Sequence, residues 1–586
     1  MTYTLSHPSI PALLQSRQSD PNLAQRVKRL GLWQRITWQE HINKVERLAT
    51  QLIELGLQPS NKMAILCENR PEWLIADLAI QSIGAVSVGI YTTSSPQQVK
   101  YILEHSDAKG IILENAEQIE KWLEIAPSLP QVKWVIAIEP EGFGEALIWD
   151  DLLSKPANSE ALQARIHAIK AEDLALLMYT SGTTGHPKGV MLSHQNLLWA
   201  TDALIKTAGY NSKDEIVSYL PLSHIVERLG SYCHIKAGFV INFVENLDTF
   251  AQNLQEIRPT VLFAVPRIWE KMHALVELHM QENHLLKRSM YQWAMKAVAG
   301  GSQKNFGGNL AALLANISVV QALKYRLGID RLRLAISGAA PVSPHILLYF
   351  CSLGIDMREG YGMTENSALA TIHQSRKDFK LGTVGSAYPD VEIQIAQDGE
   401  ILTKSPGTFL GYYKDEAATQ ATLTGEWLHT GDIGEIDEDG HLTITDRKKD
   451  IIITAGGKNI APQKIENLLK TSPFIGDAVV IGDKRKYLVA LIVLDEDNIS
   501  TWARDRQITY TTYGDLSTHE EVYGLIEQEI AKANKELARV EGIKRFAILP
   551  KRLYYEDGEV TATLKVKRSS VSQKYAPLID SLYQGS

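Results

Sequence analysis

The chain predicts a large α/β domain followed by a smaller α+β domain. Three observations carry that reading: a length of 586 residues, more than one ordinary core serves; short apolar runs alternating with helical stretches; and a change of pattern close to residue 450.

Residues 63–67 are an apolar run, 71–83 read as a helix and 85–90 as a strand, which makes a β-α-β unit. Pro71 suits the first helical turn, where its missing N–H would find no partner anyway, and Gly84 suits the exit. The alternation returns at 134–138 and 261–264. Residues 272–330 have helical spacing interrupted by Gly300-Gly301 and Gly307-Gly308, so helices joined by a mobile loop are expected. Between 435 and 445, Asp439-Gly440 amid alternating residues signals a hairpin that ends at Asp446-Arg447. Beyond it, strands at 478–481 and 488–494 precede a helix on which Val522, Ile526, Ile530, Ala533 and Leu537 share a face. The division expected is 1–447 and 448–586, with the joint at 447–450.

Composition narrows the partners. A net charge of −8 without a basic block gives no footprint for nucleic acid, and the substrate expected is a small molecule. Cys67, Cys233 and Cys351 have no metal-ligand spacing, and their odd number argues against a disulfide framework, so a reducing cytoplasm fits. The first 15 residues lack the basic lead and apolar stretch of a secretory signal. No stretch reaches the roughly 18 apolar residues of a membrane span, although peripheral membrane contact stays open. No heptad run speaks for or against an oligomer.

The most informative segment follows the apolar run 174–178. Here Tyr179, Thr180, Ser181, Gly182, Thr183, Thr184, Gly185, His186, Pro187, Lys188 and Gly189 combine three glycines, four Ser/Thr hydroxyls and one fixed cation. Glycines let successive N–H groups turn toward one point, and Lys188 adds positive charge, which suits a nucleotide polyphosphate such as ATP. A Walker A loop is excluded. It needs a second glycine where Pro187 stands and a hydroxyl after the lysine, where Gly189 stands. The remaining alternative is a plain turn-rich surface loop.

Further segments occur in a fixed order: Leu220-Pro221-Leu222-Ser223-His224, Glu359-Gly360-Tyr361-Gly362-Met363-Thr364-Glu365, Thr430-Gly431-Asp432, Asp446-Arg447-Lys448-Lys449-Asp450, Gly456-Gly457-Lys458 and Thr561-Ala562-Thr563-Leu564-Lys565. With the glycine loop, they resemble the signatures of the adenylate-forming superfamily of acyl-CoA synthetases, luciferases and peptide synthetase adenylation domains. Val265-Pro266-Arg267-Ile268-Trp269-Glu270-Lys271, followed by a long helical stretch before Gly338-Ala339-Ala340-Pro341, resembles the branch of AMP-forming long-chain fatty acid:CoA ligases. That stretch either shapes the acyl site or only packs.

The resemblance implies a mobile C-terminal domain and the substrates ATP, fatty acid and CoA, with magnesium. It implies that Thr180, Ser181, Gly182, Thr183, Thr184, Gly185 and Lys188 grip phosphates, and that Gly338, Ala339, Glu359, Gly360, Tyr361 and Gly362 bind ATP, with Tyr361 covering adenine and Glu359 accepting from its amino group. Thr364 would donate to phosphate, and Glu365 with Thr184 would hold the metal. Asp432 would accept the ribose hydroxyls, which its two oxygens allow, and Arg447 would contact ribose or the α-phosphate. Lys565 aligns with the lysine that bridges carboxylate and α-phosphate, Lys449 with the hinge, and Ala455, Gly456 and Gly457 with a thiol channel. Leu564 stands where many relatives have glycine. His224 would gate the acyl entrance or touch phosphate. Two alternatives remain at this point: an acyl-acyl carrier protein synthetase, which presents the same pantetheine thiol, and a non-catalytic acyl or nucleotide binding protein.

Overall fold

Val86–Ile90 is buried along its whole length, as a parallel strand with helices on both faces is expected to be. In the computed structural model, which describes residues 5–584 apart from 142, 145, 181–185, 283–284, 301–313, 456–457, 555–556 and 562–564, this strand lies inside an eight-stranded sheet. Lys62–Leu66 runs parallel beside it, followed outward by Ala108–Leu113, Trp134–Ala137 and Leu147–Ile148. On its other side Leu174–Thr180 is parallel, and then Lys188–Ser193 and Gly411–Tyr412 turn antiparallel. The helix Pro71–Ser82 buries Trp73, Leu74, Ile75, Leu78 and Ile80, each contributing about 1.5–3 kcal/mol of apolar transfer. It exits through Gly84 at φ +74°.

A second sheet carries the parallel strands Val261–Ala264, Leu334–Ser337 and Met357–Tyr361, continued by Thr371–Ile372 and Ser386–Ala387. A third includes Glu400–Lys404, Trp427–Ile436 and Leu442–Arg447, the last two forming the hairpin expected at Asp439-Gly440. A fourth pairs Leu23–Arg29 and Leu32–Thr37 with Glu215–Ser218 and Val240–Phe243. Residues 265–271 are largely helical, because Pro266–Glu282 starts within them. Leu285–Gly300 and Gln321–Leu327 supply further expected helices, while the loop carrying Gly301, Gly307 and Gly308 lies outside the described residues.

The C-terminal part packs a core of its own from Ile465, Val480, Leu488, Ile492, Ile526 and Phe546. Its sheet is Ile475–Ile481, Leu488–Leu494 and Ile543–Ile548. Val522, Ile526, Ile530 and Ala533 are buried on the helix Glu520–Asn534, but Leu537 falls beyond its end. Leu537 still packs against the same core from beyond the helix, whose last residue Asn534 bonds both the N–H and the carbonyl of Ile543 with its side chain at 2.9 Å. Among the described residues no helix is long and apolar enough to cross a membrane.

One buried ion pair fixes the segment before the helix Ile225–Ala237. Arg228 donates to Asp77 at 2.7 Å, with neither side chain exposed, and to the Leu222 carbonyl at 3.0 Å. Tyr232 donates to the second Asp77 oxygen at 3.0 Å, and Trp73 lies under the guanidinium at 4.0 Å. Removing one partner strands a buried charge. Asp77→Ala is therefore expected to weaken the N-terminal part by about 3–5 kcal/mol in a denaturant titration. A loss under about 1 kcal/mol, typical of exposed pairs, would contradict this.

Candidate active site

Pairing of Ser337 with Glu359 brings Gly338 and Ala339 against Gly360. A Cβ on Gly338 would meet the Gly360 carbonyl at 3.1 Å, so the close approach depends on the missing side chain. Ala339 follows at φ +68°, a conformation that costs an alanine about 1–3 kcal/mol and gathers at binding sites. Glu359 is buried beneath them. Burial pushes its carboxyl up to about 8, against an opposing bond from the Val342 N–H. His373 accepts the Glu359 N–H at 3.1 Å. Tyr361 ends the strand, and Gly362 turns into Thr364–Asn366.

The Tyr361 hydroxyl donates to Asp432 at 2.6 Å. The other Asp432 oxygen faces the Arg447 guanidinium at 3.4 Å, across the register that pairs Asp432 with Arg447. Burial raises the Asp432 carboxyl, while Arg447, Tyr361 and Lys565 pull it the other way. Lys565 reaches this cleft from the C-terminal part. The Thr561 N–H donates to the Lys565 carbonyl at 2.7 Å, and the Lys565 N–H donates to the Thr561 hydroxyl at 3.1 Å. The side chain remains open to solvent along the cleft, yet enclosure by the surrounding protein, then the Arg447 charge, bring its ammonium down to about 8. Asp432 opposes that fall.

His224 caps the helix Ile225–Ala237. Burial, then the Lys565 charge, pull its imidazole down to about 4, so the ring is neutral at physiological pH. Nδ1 accepts the Val226 N–H at 3.3 Å, which leaves the proton on Nε2 as a donor.

Glu365 is buried, and burial raises its carboxyl. Its partner is Tyr412, whose hydroxyl donates to it at 2.8 Å, while Arg447 and Lys188 act on it through space. A buried carboxylate held by a neutral donor fits a hard divalent cation such as magnesium. Thr364 begins the same turn. Lys188 opens the strand Lys188–Ser193, paired with Thr180, so the glycine loop closes a β-hairpin rather than opening a helix. Ser181, Gly182, Thr183, Thr184 and Gly185 themselves lie outside the described residues, as do Gly456 and Gly457.

At the joint, Lys449 sits exposed in a turn, and Lys448 pairs with Asp398 at 2.6 Å and Glu400 at 3.0 Å. Asp446 accepts the Gln463 N–H at 3.1 Å in the first turn of the helix Pro462–Leu469, and burial pushes its carboxyl up to about 6. Ala455 is exposed, with its N–H on the Arg485 carbonyl inside the C-terminal part. Sequence reasoning thus missed Tyr412, His373 and Arg228. Each acts from outside the recognised motifs, and only the Gly411-Tyr412-Tyr413 run offered an aromatic signal.

The family model described as AMP-binding enzyme matches residues 14–413, and that of the AMP-binding enzyme C-terminal domain matches 449–586. The chain belongs to the AMP-binding enzyme family. Among its relatives, the long-chain-fatty-acid--CoA ligase FadD15 of Mycobacterium bovis is 35% identical over 98% of this chain and 97% of its own. The long-chain-fatty-acid--CoA ligase ACSBG2 of Xenopus laevis is 34% identical over 94% and 80%. The anthranilate CoA ligase AuaEII in complex with anthranoyl-AMP superposes with a TM-score of 0.76 at 20% identity, covering 99% of each chain. The O-succinylbenzoate Coenzyme A Synthetase MenE from Bacillus subtilis, in complex with ATP and a magnesium ion, gives 0.68 at 23% identity over 96% and 99%. These two likenesses show the adenylating fold of this AMP-binding enzyme.

Competitive acylation of its lysines, read by mass spectrometry across pH, is expected to titrate Lys565 near 8, well below exposed lysines. ATP should protect it. A midpoint at the ordinary lysine value would contradict the cleft electrostatics.

Proposed function

We propose that the chain is an AMP-forming ligase that activates a long-chain fatty acid with ATP and then passes the acyl group to the thiol of CoA. The observation that carries this reading is the convergence of Lys565 with Asp432, Arg447 and His224 at one cleft. The near full-length relatives named long-chain-fatty-acid--CoA ligases support the substrate class.

A carboxylate does not react with a thiol at neutral pH, because oxide is too poor a leaving group. Attack of the carboxylate oxygen on the α-phosphorus expels pyrophosphate and forms acyl-AMP. Thiolate attack on the acyl carbon then expels AMP. Neither step needs a nucleophile from the protein, so positioning and charge stabilisation dominate. Lys565 bridges the two anionic reactants, and the Nε2–H of neutral His224 adds a donor without demanding a proton. Tyr361 covers adenine, Asp432 holds the ribose hydroxyls, and Thr364 with Lys188 and the loop from Thr180 holds phosphates. Magnesium, which Glu365 and Thr184 would bind, supplies divalent charge at the phosphate oxygens.

In this reading the domains divide at 447/448 and turn about Lys449 between the two steps. Lys565 then withdraws, and Ala455, Gly456 and Gly457 come in to leave room for the pantetheine arm. The test is exchange of labelled pyrophosphate into ATP without CoA, across fatty acids of increasing length, acetate and amino acids. Exchange confined to long acyl chains is expected. Exchange with acetate or amino acids instead, or with no acid, would overturn the assignment.

A further inference from the structure

Tyr412 stands between two groups of opposite charge. Its hydroxyl donates to Glu365 Oε1 at 2.8 Å, and the Lys188 ammonium rests 4.7 Å from its ring centroid. Left to themselves, a lysine and a carboxylate that both contact one side chain would attract each other and pair. Tyrosine prevents that without cancelling either charge. A neutral hydroxyl binds the carboxylate but leaves its negative charge intact, and the ring face attracts the ammonium without supplying a counter-ion.

The backbone holds Tyr412 firmly in that position. Gly411–Tyr412 is a short strand antiparallel to the lysine's own strand, with Tyr412 opposite Val190. Its N–H bonds Thr419 Oγ1 at 2.9 Å, and the neighbouring Tyr413 N–H bonds the Gly189 carbonyl at 2.8 Å. Phe409, whose ring lies 4.9 Å from that of Tyr412, donates its N–H to the Glu365 carbonyl at 2.8 Å. One segment, 409–413, therefore ties the lysine strand to the turn that bears the carboxylate.

We propose that Tyr412 is a positioning residue that aims Glu365 at the metal of magnesium-bound ATP and keeps Lys188 apart from it for the phosphates. The proposal rests on the reading of Glu365 as a cation ligand given above. Two substitutions separate its parts. Tyr412→Phe keeps the ring beneath Lys188 and loses only the bond to Glu365, whereas Tyr412→Leu loses both.

The experiment measures ATP binding by calorimetry, with magnesium and with a chelator, alongside the magnesium dependence of pyrophosphate exchange. Tyr412→Phe is expected to weaken magnesium-dependent ATP binding about tenfold, the size of effect common when a metal ligand loses its orienting partner. It should leave metal-free ATP binding unchanged and recover most exchange at saturating magnesium. Tyr412→Leu should weaken ATP binding under both conditions. A Tyr412→Phe protein with the parent's magnesium dependence would overturn the proposal, as would equal losses with and without the metal. If the parent's own ATP affinity ignores magnesium, or survives Glu365→Gln unchanged, the reading of Glu365 falls and this proposal falls with it.

Discussion

Asp432 is where the separate parts of this molecule meet. It accepts the Tyr361 hydroxyl on one oxygen, faces Arg447 across a strand pair on the other, and attracts Lys565 from the C-terminal part. Each partner comes from a different segment of the chain, so the carboxylate ties together the strand Met357–Tyr361, Arg447 and Lys565. The balance there is deliberately uneven. Two cations crowd a cleft whose enclosure already disfavours charge, and the Lys565 ammonium falls to about 8 as a result. Negative charge brought beside these two cations would relieve that crowding.

The sheets explain why loops reach this cleft from several directions. Ser337 ends its strand opposite Glu359 in the neighbouring parallel strand, and Gly338 permits the close approach to the Gly360 carbonyl. Thr180 and Lys188 instead pair at the neck of a hairpin. The residues flanking the glycine-rich segment are therefore held by a strand ladder rather than by a helix N-terminus, the physical counterpart of the missing Walker A spacing. Behind it, the buried pair of Arg228 and Asp77 fixes the Leu222 carbonyl, two residues before His224. His224 receives its direction from that support and from the helix it caps.

Much of this was legible in the sequence, for definite reasons. Val86, Val88 and Ile90 make the buried strand Val86–Ile90 stand out as an apolar run, and Asp439-Gly440 must turn, so both announce themselves. The end of the helix at Asn534 did not, because Leu537 packs against the same core from beyond it, so apolar spacing runs on past the helix. The site shows the same division. Residues inside contiguous motifs, such as Tyr361, Asp432 and Lys565, could be named from their segments. Tyr412 lies 47 residues from Glu365 in sequence, and His373 lies 14 from Glu359, so their roles emerge only when strands bring them together.

The most direct test of the cleft's role separates the two half-reactions in a Lys565→Ala protein. If Lys565 serves the attack on the α-phosphorus, acyl-AMP formation should drop by at least about a hundredfold, the scale of losing one preorganised charge donor. Thioester formation from supplied acyl-AMP and CoA should persist near the parent rate. Equal loss of both half-reactions, or retention of the first, would contradict the assignment of the lysine to adenylation.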